Sequence, residues 1–183
     1  MAVHFAIFQG TDSAGDRGLW VTDGTAGGTY ELTGVGGAYA GGLFGGPTGF
    51  APDFTPFDRQ VLFSGLDANG HIGLWLTDGT SGGTQELTGI TNANANGLFA
   101  GYFPVFTVLN KEVLFSGVDA AGNYGLWVTN GTAADTHELT GISGGSPVGL
   151  FHGLNADLVV FNNKVLFAGR KMRLDCLTRN MRI

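Results

Sequence analysis

The eight residues GLWVTDGT at positions 18–25 return as GLWLTDGT at 73–80 and as GLWVTNGT at 125–132. The copies begin 73 − 18 = 55 and 125 − 73 = 52 residues apart. A nearly constant period of about 50 residues is typical of repeat proteins, in which each copy forms one supersecondary unit. The repeats are predicted at about 6–60, 61–112 and 113–164, with a fourth beginning at 165, inside a domain covering residues 1–169.

Each copy is predicted to fold into four short antiparallel strands. In the second copy, VLFSGLD (61–67) turns at Asp-Ala-Asn-Gly into HIGLWLTD (71–78), and TQELTGI (84–90) follows an Asp-Gly turn. Asp-Gly and Asn-Gly pairs supply the positive backbone angles that tight hairpins need, and 33 glycines in 183 residues disfavour helices. Four strands in about 50 residues match one blade of a β-propeller. We therefore predict an all-β propeller with three four-stranded blades per chain.

These residues resemble a family of bacterial repeat proteins with the signature Glu-Leu-Trp-x-x-Asp-Gly-Thr-x-x-Gly-Thr, whose members look like propellers of repeated blades. In the first copy the likeness rests on residues 19–20, 23–25 and 28–29. Glycine replaces the family's glutamate before Leu-Trp, and the third copy has Asn130 for Asp and Asp135 for Gly, which is expected to loosen its turn. The resemblance implies a fold rather than an activity.

Three blades and a fragment do not close a ring, because propellers have about four to eight blades. We expect a homodimer that forms a six-bladed ring. The alternative closed form is a β-trefoil, which also uses three four-stranded repeats.

The charge distribution argues against nucleic-acid binding. Residues 1–169 contain four Lys or Arg and fourteen Asp or Glu, so they carry 4 − 14 = −10 and repel phosphate backbones. The basic tail 170–183 has no glycine and no repeat, and it is predicted to be a truncated or non-native end. The single cysteine, Cys176, leaves no disulfide framework.

No membrane segment and no cleavable signal peptide are predicted, since no apolar run has the required length. A secreted or cell-surface location in a bacterium is expected.

The candidate catalytic residues are His152, Asp157 and Asp53. His152 lies in GLFHGLNAD, a connection predicted to reach one mouth of the channel, and Asp53 occupies the equivalent stretch of the first copy. Doubled by the dimer, these residues are predicted to meet as metal ligands or a general base. The divalent ion would be Ca or Zn. Phe54, Phe103 and Asn155 are predicted to line an adjoining substrate pocket.

Residues that recur in every copy are expected to serve the blade. The signature tryptophans are predicted to pack between blades. The glutamates of the ELT segments (31, 86 and 138) are predicted to be solvated or hydrogen-bonded strand residues, with a ring of carboxylates as the alternative. The turns DSAGD, DANGH and DAAGN lack the alternating oxygen ligands of calcium loops, so plain Asp turns are expected. His71 and His137 are interpreted as surface variation.

Two functions follow from this interpretation. The first is a binding or scaffold module whose ligand is a glycan or a protein. The alternative is a metal-dependent hydrolase of activated esters, lactones or phosphotriesters, with its site at the channel, where a cation would lower the pKa of a bound water.

Overall fold

A computed structural model describes residues 5–46, 51–101, 104–151 and 156–168. Within these residues the chain is all β, with 13 strands in antiparallel sheets and no helix, which confirms the predicted class. The strands are β1 (Ala6–Thr11), β2 (Arg17–Thr22), β3 (Tyr30–Glu31), β4 (Thr55–Phe57), β5 (Gln60–Leu66), β6 (Ile72–Thr77), β7 (Gln85–Glu86), β8 (Thr107–Leu109), β9 (Glu112–Val118), β10 (Tyr124–Thr129), β11 (His137–Glu138), β12 (Leu158–Phe161) and β13 (Lys164–Phe167).

The strands form four sheets whose order follows the chain. The first sheet is β1-β2-β3, the second β4-β5-β6-β7, the third β8-β9-β10-β11 and the fourth β12-β13. Each four-stranded sheet takes its first strand from the end of the preceding sequence repeat, because the connection before VLF contains β4 or β8. Ring closure, the propeller arrangement and the trefoil alternative stay predictions.

Each of the two middle sheets buries both of its faces. Alternate residues of a strand point to opposite sides, so Leu62 and Phe63 of β5 belong to different faces. We call the face with Leu62, Leu74 and Leu76 the leucine face of the second sheet, and the face with Phe63 and Trp75 its tryptophan face. All five side chains are 0–1% exposed.

The sheets pack leucine face against tryptophan face. Leu19 and Val21 of the first sheet share a core with Phe63 and Trp75 of the second. The leucine face of the second sheet shares a core with the tryptophan face of the third, and Leu114 on the leucine face of the third packs with the fourth sheet. The leucine-to-tryptophan interface is therefore made twice, and in the third contact Leu158 and Val165 of the fourth sheet take the place of the tryptophan face.

The Asp-Gly-Thr turn between β6 and β7 is held by side-chain hydrogen bonds. Asp78 Oδ1 accepts from the backbone N of Thr80 at 2.9 Å and from its Oγ1 at 2.7 Å. The buried hydroxyls of Thr77 and Thr84 lie 2.7 Å apart and join the two ends of the turn. The signature residues are therefore accounted for by the turn itself.

The third copy keeps this turn despite its two substitutions. Asn130 Oδ1 accepts from the Thr132 backbone N at 3.0 Å, and Asn130 Nδ2 donates to Asp135 Oδ2 at 2.9 Å. The two departures from the signature bind each other, so the turn keeps its hydrogen bonds, and the expected loosening stays a prediction.

Candidate functional site

Three predicted site residues, His152, Asn155 and Phe103, lie outside the described residues. Asp157 is exposed and directly precedes β12. The described residues bring neither Asp157 nor Asp53 into a group of three or more His, Cys, Asp or Glu suited to a metal ion. The catalytic and metal roles of these residues, and the Ca or Zn ion, stay predictions.

Asp53 has a structural contact that its sequence position did not indicate. Its Oδ2 accepts a hydrogen bond from the backbone N of Phe106 at 2.8 Å, and its φ of 47° is in the left-handed region, which Asp tolerates better than most residues. Asp53 therefore ties the connection before β4 to the residue preceding β8.

Phe54, predicted to line a pocket, packs in the core between the first two sheets. Its ring centroid lies 5.8 Å from that of Phe44 and 5.7 Å from that of Phe63. Phe106 makes the same triangle one repeat later, with Phe99 and Phe115. The recurrence of the triangle gives Phe54 a packing role, and a ligand contact for it stays a prediction.

A small groove beside the GLW strand occurs in each of the first three sheets. The three grooves have volumes of about 250, 230 and 330 Å³ in chain order. Each is lined by a turn aspartate and the ELT glutamate, in the pairs Asp12 with Glu31, Asp67 with Glu86, and Asp119 with Glu138. Each pair is 19 residues apart (31 − 12, 86 − 67, 138 − 119).

The glutamates of these grooves have raised pKa values. Burial, and then the charge of Asp67, raise the pKa of Glu86 to about 7. Burial followed by the negative charge of nearby turn aspartates raises the pKa of Glu31 and of Glu138 as well. Neither prediction for the glutamates, solvated strand residue or ring of carboxylates, included this partial burial beside an aspartate.

The turn aspartates themselves bind backbone N–H groups, as predicted for plain turns. Asp67 Oδ1 accepts from the backbone N of Asn69 at 2.9 Å and of His71 at 2.7 Å. The His71 ring lies with Nδ1 3.5 Å from Asp67 Oδ2. His137 is exposed on β11. These contacts give Asp67 the hydrogen bonds of an Asp turn.

A larger groove lies between the second and third sheets, with a volume of about 900 Å³. Its lining comes from the β4–β5 hairpin, the β8–β9 hairpin and the turn after β10. The lining residues are Pro56, Phe57, Asp58, Val108, Asn110, Lys111, Glu112 and Asn130. We call this the inter-sheet groove.

Four polar side chains of the inter-sheet groove are free. Within the described part of the chain, Asp58, Asn110, Lys111 and Glu112 are exposed, and their side chains have no hydrogen-bond or ion-pair partner. The half-buried Phe57 lies against the turn of the next sheet. Its Cε1 would be 3.7 Å from a Cβ atom added to Gly131.

Sequence reasoning missed the inter-sheet groove because its two hairpins are one full repeat apart. The sequence signal for this groove was the difference between copies at the hairpin turns, next to VLF strands that stay constant. The turns read Asp-Arg-Gln at 58–60, Asn-Lys-Glu at 110–112 and Asn-Asn-Lys at 162–164.

No protein family, curated protein or solved structure matched the chain. The likeness of its signature to a repeat family therefore stays a prediction. Among the described residues, no helix has the length and apolar character needed to span a bilayer.

Proposed function

We propose that this protein is a non-catalytic carbohydrate-binding module and that an oligosaccharide binds in the inter-sheet groove. The observation that carries the proposal is the groove itself, with a volume of about 900 Å³ between two hairpins. Small-ligand sites usually have volumes of about 300–1,000 Å³, with apolar walls and a few placed polar groups. The inter-sheet groove lies in this volume range, and its lining combines three apolar residues with five polar ones.

The lining chemistry suits a sugar. Phe57, Pro56 and Val108 offer apolar surface for the C–H faces of a pyranose ring. Asn110 supplies an amide that donates and accepts, Lys111 donates, and carboxylates accept from hydroxyl groups. Because Asp58, Asn110, Lys111 and Glu112 have no side-chain partners within the described residues, a sugar can bind these four without breaking a protein hydrogen bond.

A protein ligand fits this groove less well. Stable protein interfaces bury about 800 Å² on each partner and centre on aromatic or arginine anchors. Among the described residues, the lining of the inter-sheet groove contains one aromatic side chain and no arginine. The groove also carries both charge signs, which favours a neutral hydroxylated ligand over a strongly charged one.

The test is calorimetric titration of the full chain with neutral oligosaccharides: cello-, xylo-, malto- and chito-hexaose. At least one of them is expected to bind, and Asn110→Gly is expected to weaken that binding at least tenfold, since it removes the amide. Glycine tolerates the φ of 59° at this position, so the turn is preserved.

Asn162→Gly is the matched control, because Asn162 has the same turn position in the fourth sheet, with a φ of 48°, and does not line the groove. It should leave the affinity unchanged. Lack of binding to all four sugars, or equal affinity for the wild type and Asn110→Gly, would contradict the proposal.

A further inference from the structure

The fourth sheet exposes its leucine face. In β12 and β13, Val159 is paired with Leu166 and Phe161 with Lys164, so these four side chains share one face. Val159, Phe161 and Leu166 are 57%, 60% and 50% exposed. Leu166 occupies the position of Leu62 and Leu114, which are 0% and 7% exposed. A face that is buried in the two preceding sheets is therefore open in the fourth.

The first sheet leaves its tryptophan face partly open. Phe8 and Trp20 are both half-buried, whereas the equivalent pair in the second sheet, Phe63 and Trp75, is fully buried. The pairs have the same internal spacing, with ring centroids 6.2 Å apart in the first sheet and 6.3 Å in the second. The two pairs differ in what covers them. Among the described residues, no leucine face packs against Phe8 and Trp20.

These two open faces are the two halves of the leucine-to-tryptophan interface that the chain makes twice internally. Two internal contacts join the leucine face of one sheet to the tryptophan face of the next. The third joins the leucine face of the third sheet to Leu158 and Val165 of the fourth. We propose that a second copy of this chain covers both open faces, in a head-to-tail pair. The leucine face of each fourth sheet packs on the tryptophan face of the partner's first sheet.

Contacts at the turns support this arrangement. Phe57 at the end of β4 lies over Gly131 of the following sheet, and a Cβ on Gly79 would meet the ring of Phe5. In the described part of the chain, no atom lies within 4 Å of the equivalent Cβ position on Gly24. Phe161 has the position of Phe57 in the fourth sheet, so it is the residue that reaches Gly24 of the other copy.

The pair uses each open face once and leaves neither exposed. A head-to-tail contact closes a ring when its rotation allows and otherwise extends into a filament. Two chains related in this way contain two identical interfaces, each formed by a fourth sheet and a first sheet. Apolar faces of this kind are seldom left open to solvent.

The first test is the mass of the full 183-residue chain by light scattering. The expected value is twice 19.0 kDa. Leu166→Asp places a charge in the leucine face and is expected to reduce the mass to that of one chain. Tyr30→Asp is the control, because Tyr30 is 53% exposed on the outer strand β3, and it should remain a pair. A wild-type mass of one chain, or of more than two, overturns the proposal.

A second test separates head-to-tail from tail-to-tail pairing. In a Cys176→Ser background, Lys164→Cys and Ala26→Cys place thiols at exposed sites beside Phe161 and beside Gly24. With a short bis-maleimide, a mixture of the two variants should cross-link, whereas each variant alone should not. Cross-linking of Lys164→Cys with itself, or no cross-linking in the mixture, would overturn the arrangement.

Discussion

At the scale of single residues, the glycine before each Leu-Trp is required by a glutamate on the neighbouring strand. A Cβ on Gly73 would fall on the carboxylate of Glu86, and Gly18 and Gly125 stand in the same relation to Glu31 and Glu138. The carboxylate is thereby held over the strand, next to the turn aspartate and partly out of water. This placement explains why the pKa of Glu86 is raised.

The half-buried carboxyl of Glu86 makes stability depend on pH. Its folded pKa of about 7 lies above the usual 4.5, so the folded state binds more protons than the unfolded state between these values. The free energy of unfolding should therefore fall as pH rises from about 4.5 to 7. Glu86→Gln should stabilise the protein at pH 8 by about 1 kcal/mol, a value reduced for solvent screening, and should have little effect at pH 4. Urea unfolding at both pH values measures this.

Glu31→Gln is the matched control for Glu86. Its carboxyl has the same position and a raised pKa, but it is less deeply buried, so its gain at pH 8 should be smaller. Equal effects of Glu86→Gln at pH 4 and pH 8 would show that the carboxyl does not titrate in this range.

Within the signature turn, the residues tolerated at two positions depend on each other. A Cβ on Gly83 would fall on the Asp78 carboxylate, which is already bound to Thr80. In the third copy, the equivalent positions are Asn130 and Asp135, which bind each other. The turn therefore accepts either Asp with Gly or Asn with Asp.

Gly83→Asp alone should destabilise the protein by about 1–3 kcal/mol, because it crowds Asp78 with a second carboxylate. Adding Asp78→Asn should restore most of this loss, since the pair then matches the third copy. Chemical unfolding of both single variants and the double variant measures the coupling.

Gly82→Ala is the control for added volume, because no atom of the described residues lies within 4 Å of its Cβ position. It should change stability by less than about 0.5 kcal/mol. Additive effects of Gly83→Asp and Asp78→Asn would contradict the coupling.

The hairpins and turns were predictable from the sequence because their signals are local. Asp-Gly pairs and alternating apolar residues predicted the GLW and VLF strands. Comparison of the copies predicted that the recurring tryptophans pack between sheets. The third copy has Asn130 and Asp135 where the second has Asp78 and Gly83, and the sequence shows both differences. Their mutual hydrogen bond was not visible, because it depends on how the turn folds back.

At the scale of the whole molecule, the sequence predicted the sheets better than the contacts between them. Alternation shows that Leu62 and Phe63 face opposite sides, but it does not show which sheet each one meets. Asp53 was assigned a catalytic role from its place in a connection, and its bond to the Phe106 backbone appears only when two repeats pack together. The inter-sheet groove was missed for the same reason.

An amide NMR titration of the full chain tests most directly whether the inter-sheet groove is the ligand site. The titrant is the oligosaccharide that binds in calorimetry. We predict chemical-shift changes concentrated at residues 57–58, 108–112 and 130, with none at the turn of the fourth sheet, residues 162–164. Changes concentrated instead at the grooves around Glu31, Glu86 and Glu138, or no changes at all, would contradict the account.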